Sequence, residues 1–422
     1  MAALATTGLT AALATAASAQ SLEDMQTQLE TLQSQVKDLQ QQVDAAKAEK
    51  SDSDLKVSWK GAPEISSADG AYKMKLRGRL LVDTAMGSQD GDVTGADHLS
   101  ATELRAARLG IEGVLQHDFK YRLEGDFAGD EVELTDAYIA YEGLPVELKV
   151  GQFKTPNSLE ELTSGRFTSF MERGSVTDAF DLARQIGVSA GAQGEMWTVT
   201  GGVFKGSAAT GDTDEGLTLA ARATWARTFG DEGLVHLGAS VRHRKIGDGQ
   251  DLLRYRQRPH QHLADRFIDT EAFADSDLLL GAEAAMVYGP FALQGEYMTL
   301  NANAENPAIP DADFDGYYVS GSWFITGESR AYDGGVFERV HVARPVFDGG
   351  PGAWQVAARF DTVDLSDGPI DGGTQDSYIV GVNWHLNDYV RLMANYNLSK
   401  VKGGVNDGAD INLFGLRAQI DW

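Results

Sequence analysis

The stretch YKMKLRGRLLVD, residues 72–83, alternates strictly, with Lys73, Lys75, Arg77 and Arg79 on one face and Tyr72, Met74, Leu76, Leu80 and Val82 on the other. A period of two marks a strand with one polar and one apolar side. The pattern returns in FKYRLEGDF (119–127), where Lys120, Arg122, Glu124 and Asp126 oppose Phe119, Tyr121, Leu123 and Phe127. It returns again in VELKV (146–150) and in INLFGLRAQIDW (411–422). Antiparallel sheets of soluble proteins also alternate. Here the polar face is densely charged, the pattern runs to the end of the chain, and no other segment could cover the apolar face. A soluble sandwich or propeller is therefore disfavoured, and the apolar side is expected to meet lipid.

Sixteen candidate strands begin near Tyr72, Leu104, Phe119, Val132, Val146, Gln185, Trp197, Leu217, Leu234, Leu278, Phe291, Tyr317, Trp354, Ser377, Tyr389 and Ile411. Short turns at 117–118, 143–145, 195–196, 230–233, 289–290 and 387–388 follow even-numbered strands. Long connections at 87–102, 151–187, 248–277, 301–314 and 366–375 follow odd-numbered ones. Two connections break the rule: the one near Gly129 is short, and residues 328–351 are long. Even strand number with short turns at one rim and long loops at the other is the layout of a bacterial outer-membrane barrel. Closure pairs every backbone group, which hydrocarbon demands. Tyr288, Trp323, Trp384, Tyr389 and the terminal Trp422 suit interfacial girdles. The expected fold class is all-β: a 16-stranded antiparallel transmembrane β-barrel over residues 71–422, preceded by an α-helical coiled coil.

The rest of the chain fits a secreted, self-associating protein. Residues 1–19 are apolar and end in Ala17-Ser18-Ala19, which predicts a signal peptide. Over residues 20–50, Leu22, Met25, Leu29, Leu32, Val36, Leu39, Val43 and Ala46 alternate spacings of three and four, an a/d seam that predicts a coiled coil. Residues 51–70 form a polar linker. The 422 residues carry a formal charge of −26, which excludes a nucleic-acid partner, and no Cys, which excludes disulfides and thiolate metal sites.

Among the long connections, GQFKTPNSLEELTSGRFTSFMERGSVTDAFDLARQIG (151–187) stands apart. Connections of roughly thirty residues are uncommon in compact folds and are commonly functional. This one carries apolar anchors (Phe153, Leu159, Leu162, Phe167, Phe170, Met171, Phe180), and Ser158 followed by Glu161 forms a capping box. The segment from Lys154 through Pro156, Ser158, Glu160, Leu162, Thr163 and Ser164 to Phe170, Glu172 and Arg173 resembles the phosphate-selective porin O and P family. TGESRAYDGGVFERV (326–340), GAWQVAARF (352–360) and the final strand also resemble it, and the likeness covers about residues 72–422. The resemblance implies a trimeric outer-membrane porin of a Gram-negative bacterium, with residues 154–184 folded inside the barrel as a constriction. It agrees with the heptad seam and accounts for the long connection at 328–351.

The resemblance further implies an anion path built from Lys and Arg, since such a ring replaces the hydration that an oxyanion loses. Candidates on the wall are Lys73, Lys75, Arg77, Arg79, Lys120 and Arg122; in the loop they are Lys154, Arg166, Arg173 and Arg184. Glu124, Asp126, Glu160, Glu161, Glu172, Asp178 and Asp181 are interleaved and can cancel them. The sign of the field in the pore stays open at this point.

Other motifs are weaker. Gly187-Val188-Ser189-Ala190-Gly191 matches a nucleophile elbow, but it lies in an alternating strand rather than a strand–turn–helix context. Asp311, Asp313 and Asp315 open like a calcium loop, but Ser322 stands where the bidentate Glu is needed. Arg254, Arg256, Arg258, His260 and His262 form a basic cluster that could steer anions or bind lipopolysaccharide phosphates. No catalytic constellation, metal site or cofactor is expected. The expected function is passive diffusion of small hydrophilic solutes, anions such as phosphate above all, through a homotrimer in contact with outer-membrane lipid. The alternative is an envelope tether, with the periplasmic coiled coil touching peptidoglycan and the barrel as anchor.

Overall fold

A computed structural model describes residues 27, 30–42, 55–59, 61–90, 95–208, 214–230 and 232–422. The signal segment 1–19 and most of the heptad seam lie outside them. Residues 30–42 are helical and exposed, Leu32, Val36 and Leu39 included. Within the stretch expected as a linker, two short strands form at Lys56–Trp59 and Pro63–Ser66.

The alternation at residues 72–83 becomes the first strand of a closed sheet. In chain order the strands are β1 (Tyr72–Ser88), β2 (His98–Leu115), β3 (Phe119–Asp126), β4 (Glu133–Tyr141), β5 (Glu147–Lys154), β6 (Arg184–Gln193), β7 (Trp197–Phe204) and β8 (Leu217–Phe229). They continue as β9 (Gly233–Lys245), β10 (Ile268–Tyr288), β11 (Phe291–Ala304), β12 (Ala312–Phe324), β13 (Ala353–Asp367), β14 (Ile370–His385), β15 (Val390–Lys402) and β16 (Asp410–Asp421). Each strand pairs antiparallel with the next. β16 returns to β1 in the register Arg417↔Asp83 and Asp421↔Arg79, so sixteen strands close into a barrel with no free edge.

Outward positions are apolar and half-exposed: Leu123, Val150, Val188, Leu293, Val319 and Val380 all face away from the lumen. Stacked ring pairs Phe229–Tyr288, Phe291–Trp323 and Trp354–Trp384 collect at the strand ends on the short-turn rim, as an interfacial girdle requires. The apolar core sits inside the barrel, where Phe180, Tyr255, Phe314 and Tyr318 pack inward segments onto the wall.

Two connections differ from the expectation. Residues 366–375 are not a long loop: β13 and β14 extend into a hairpin joined by Gly368-Pro369, with Gly368 at φ +55°, the left-handed turn position that glycine fills without strain. Residues 248–277 are also largely strand. β10 starts at Ile268, and a strand at Leu253–Gln257 pairs with its outer end through two register shifts. Residues 248–252 form a turn, and residues 258–267 leave the sheet and turn inward. From the opposite rim, residues 325–352 likewise fold inward, carrying a small hairpin at Tyr332–Asp333 and Val336–Phe337.

Candidate functional site: an inward loop and the cavity beside it

The chain leaves β5 at Lys154 and returns at Arg184, with two short helices between, α1 (Leu159–Leu162) and α2 (Ser175–Ala179). Half of the expected capping box forms: the Ser158 hydroxyl accepts the Glu161 N–H at 3.0 Å, while the Glu161 carboxylate turns to Lys154 and Arg173. The remaining helix-start donors are met by wall carboxylates rather than by the loop itself. Leu159 and Glu160 donate their N–H groups to Glu296 at 3.1 and 2.8 Å. Ser175 N–H donates to both oxygens of Asp361 at 3.2 and 3.0 Å.

Between these helices the wall grips loop carbonyls. Arg391 donates to the Thr168 carbonyl at 2.7 Å, Asn383 to that of Ser169 at 2.8 Å, and Arg417 to that of Met171 at 2.6 Å. Phe170 packs on Ala357 and Ile379, and Leu159 on Ala285, Val287 and Phe337. These anchors belong to β9–β16 and to the inward hairpin of the opposite rim. The loop is therefore pulled to one side, and space remains between it and β1–β6.

That space is a cavity of about 470 Å³. Nine cationic side chains line it (Arg77, Arg79, Arg108, Arg122, Lys149, Lys154, Arg166, Arg173 and Arg184) against four carboxylates, Glu112, Glu124, Asp136 and Glu338. All of these cations except Arg79 have a carboxylate within 4.0 Å: Arg108 meets Asp126 at 2.7 Å, Arg122 meets Glu112 at 2.8 Å and Lys149 meets Glu147 at 3.0 Å. Arg77 meets Glu124 at 2.7 Å, Arg184 meets Asp136 at 2.8 Å, and Lys154 and Arg173 share Glu161 at 2.9 and 3.1 Å. Burial opposes the charge of Glu161, but Arg173 and Lys154 outweigh it and hold the carboxyl below its ordinary range. Arg79 differs: it has no ion pair among the described residues, and its buried Nε has no hydrogen-bond partner. The nearest carboxylate to Arg166 is Asp421, at 3.7 Å. A methyl group added at Gly165 would stand 3.4 Å from Arg79 Nη1 and 3.8 Å from Arg173 Nη2, so these tips converge on the loop.

The expected site residues divide. Arg77, Arg79, Arg122, Lys154, Arg166, Arg173 and Arg184 line the cavity. Lys73, Lys75 and Lys120 do not: they sit toward the short-turn rim, where Lys73 lies 3.8 Å from Glu64 and Lys120 2.6 Å from Glu142. Glu160 is buried behind the loop, paired with Arg359. Glu161 and Glu172 face a second cavity of about 220 Å³ on the long-loop side, together with Arg105, Asp178, Asp181, Arg258, His260 and His262.

The basic cluster at 254–262 is not a free surface patch. Arg254 pairs with Asp269 at 2.6 Å and His262 with Glu103 at 2.8 Å. His260 is buried against the inward loop, its Nε2 3.2 Å from Ser175 Oγ. Burial lowers the His260 pKa from its ordinary value, against the nearby Asp361 carboxylate. Asp313 and Asp315 lie within β12 rather than in a loop, and Ser189 lies within β6.

Arg108, Lys149 and Tyr138 were missed, and so was Arg105 on the second cavity. The pairing of β1 with β2 slips between Leu81 and Val82, leaving Arg105 as a bulge, so Arg105 and Arg108 reach the lumen three residues apart. Strict alternation hides such a pair. Lys149 and Tyr138 do alternate with apolar neighbours and were legible in principle.

The sequence matches the family model described as phosphate-selective porin O and P over residues 74–422. Porin O of Pseudomonas aeruginosa is 27% identical over 403 residues, which span 85% of this chain and 90% of that one. An uncharacterized protein of Caulobacter vibrioides is 32% identical over 393 residues, spanning 89% of this chain and 79% of that one. Among solved structures, an anion-selective porin from Comamonas acidovorans superposes with a TM-score of 0.55 at 15% identity, covering 83% of this chain and 100% of its own.

Proposed function

The chain belongs to the phosphate-selective porin O and P family, an outer-membrane channel, and from that premise we propose that it passes small hydrophilic anions by passive diffusion as a homotrimer. The observation that carries the anion preference is the lining of the 470 Å³ cavity, where nine cationic groups face four carboxylates. The chain's −26 balance does not oppose this, because selectivity follows the charge at the narrow, low-dielectric passage rather than the net charge. Arg79, Arg166 and Arg173 are the groups proposed to take an anion as it sheds water. Arg79 is unpaired, and the loop brings the other two beside it. The wall arginines that hold loop carbonyls act differently, by keeping the constriction in place.

Reconstitution of the full chain in a planar bilayer under a potassium chloride gradient tests this. The reversal potential should carry the sign of chloride permeation, and a potassium-selective sign would overturn the anion preference. The trimer is supported by the bare Leu32, Val36 and Leu39 seam of the helical residues 30–42 and by the family.

A further inference from the structure

The cavity that carries the cations also carries carbon. Tyr138, Phe153 and Leu162 line it alongside Arg79, Arg122, Lys149, Arg166 and Arg173. Tyr138 and Phe153 meet edge to face at 6.1 Å between centroids. The Arg122 guanidinium lies 5.6 Å from the Tyr138 centroid, and Lys149 Nζ lies 5.0 and 5.4 Å from the Tyr138 and Phe153 centroids. The Tyr138 hydroxyl has no hydrogen-bond partner among the described residues, although the ring is only half-buried. The Tyr138 phenol and two ring edges thus share one chamber with Arg79, which makes no ion pair among the described residues.

A small inorganic oxyanion makes poor use of such a wall. It needs a donor on every side in place of lost water, and the Phe153 ring and Leu162 offer none. An anion with an apolar, planar body uses both halves. Its charged group can sit on the Arg79, Arg166 and Arg173 tips while its ring lies against Tyr138 and Phe153 or stacks on the planar Arg122 group. The volume agrees, since about 470 Å³ falls within the size range of sites that hold small organic molecules.

We propose that the chamber beside the constriction loop is a subsite for aryl anions, such as aromatic carboxylates, and that Tyr138 and Phe153 make the channel prefer them over aliphatic or inorganic anions of equal charge. This rests on the anion preference argued above, and it adds a chemical class to it. Binding there is weak enough to release solute, as conduction requires.

The test uses the full chain in a planar bilayer with benzoate, acetate and inorganic phosphate as probes, each titrated against the chloride current. Benzoate should halve the current at roughly fivefold lower concentration than acetate, the factor an aromatic contact supplies. Tyr138→Ser should bring the benzoate and acetate values together while keeping the chloride-selective reversal potential. Phe153→Leu, which keeps the buried volume near Phe204, should narrow the gap in part; heat-resistant trimer bands on gels report that both variants fold. Equal half-blocking concentrations for benzoate and acetate in the unmodified channel would overturn the aryl subsite and leave the anion preference standing. A benzoate preference that survives Tyr138→Ser and Phe153→Leu unchanged would also overturn it, by placing the preference elsewhere. A potassium-selective reversal potential would instead remove the anion preference on which the subsite depends.

Discussion

Arg417 on β16 donates from Nη1 to the carbonyl oxygen of Met171 at 2.6 Å, fixing the middle of the inward loop to the wall beside β1. The same guanidinium forks onto Asp83 at 2.6 and 2.7 Å and meets Glu172 at 3.0 Å, with its side chain only 3% exposed. Arg417→Ala therefore leaves two carboxylates without their shared cation as well as freeing a carbonyl. A destabilisation of about 3–5 kcal/mol follows from breaking a buried pair, visible as a lower denaturant midpoint. The single-channel record should become noisier as the loop loses its pin. Arg417→Lys, which keeps the charge but not the planar fork, should fall between the two. A quiet, unshifted record from Arg417→Ala would show that the remaining anchors hold the loop alone.

Among the described residues Arg79 is the cavity cation that makes no ion pair, and its buried Nε has no hydrogen-bond partner. Arg79→Ala should lower the chloride-to-potassium permeability ratio severalfold, and Arg79→Glu should lower it further, since charge in a low-dielectric passage is weakly screened. Lys75→Ala, a change outside the cavity on the same strand, is the control and should leave the ratio unchanged. Equal effects from Arg79→Ala and Lys75→Ala would mean that selectivity is set by the wall as a whole.

The barrel was legible in the sequence because its determinants are local. Alternation at residues 72–83 and the turn at Gly289-Pro290 each state a strand or its end without help from the rest of the chain. The Ser158 cap on the Glu161 N–H was legible for the same reason. The cavity was less so. Which cations face it depends on where the loop is pulled, and that is decided by Glu296, Asp361, Arg391 and Arg417, residues more than a hundred positions away. Lys73 and Arg79 share a face in one strand, yet only Arg79 stands at the depth of the loop. The inward turn of residues 258–267 was hidden too, because a run of Arg and His looks like a solvated loop until His260 is placed against Ser175.

Acid should spare the loop until the pH is well below the usual carboxylate range. Burial opposes the charge of Glu161 and Glu172, but Arg173 with Lys154, and Arg105 with Arg417, reverse that and depress both pKa values. For a depressed carboxyl, the stabilisation is present above the unfolded value of about 4.3 and is lost as pH falls through the lower folded value. Glu161 and Glu172 should contribute no change in conductance or noise down to about pH 5, and their loss should show only in stronger acid. Glu172→Gln should already show the noisy behaviour at neutral pH. A transition above about pH 5 in the unmodified channel would assign the effect to a group other than these two carboxylates.

The helical residues 30–42 present Leu32, Val36 and Leu39 at 59, 55 and 59% exposure, an apolar stripe too narrow for a globular surface. Burying each such side chain between copies contributes roughly 1.5–3 kcal/mol, so the seam should add appreciably to the stability of an oligomer. Leu32→Asp with Leu39→Asp should lower the temperature at which the oligomer dissociates on gels, while the conductance of each surviving barrel stays as before. Removing residues 22–46 should do the same in purified protein. In cells, that deletion separates two roles for the helix. A lowered dissociation temperature with an intact envelope assigns it to assembly. An unchanged dissociation temperature with the outer membrane detached from the cell wall would assign it to tethering, and the bare seam would then need a partner other than its own copies.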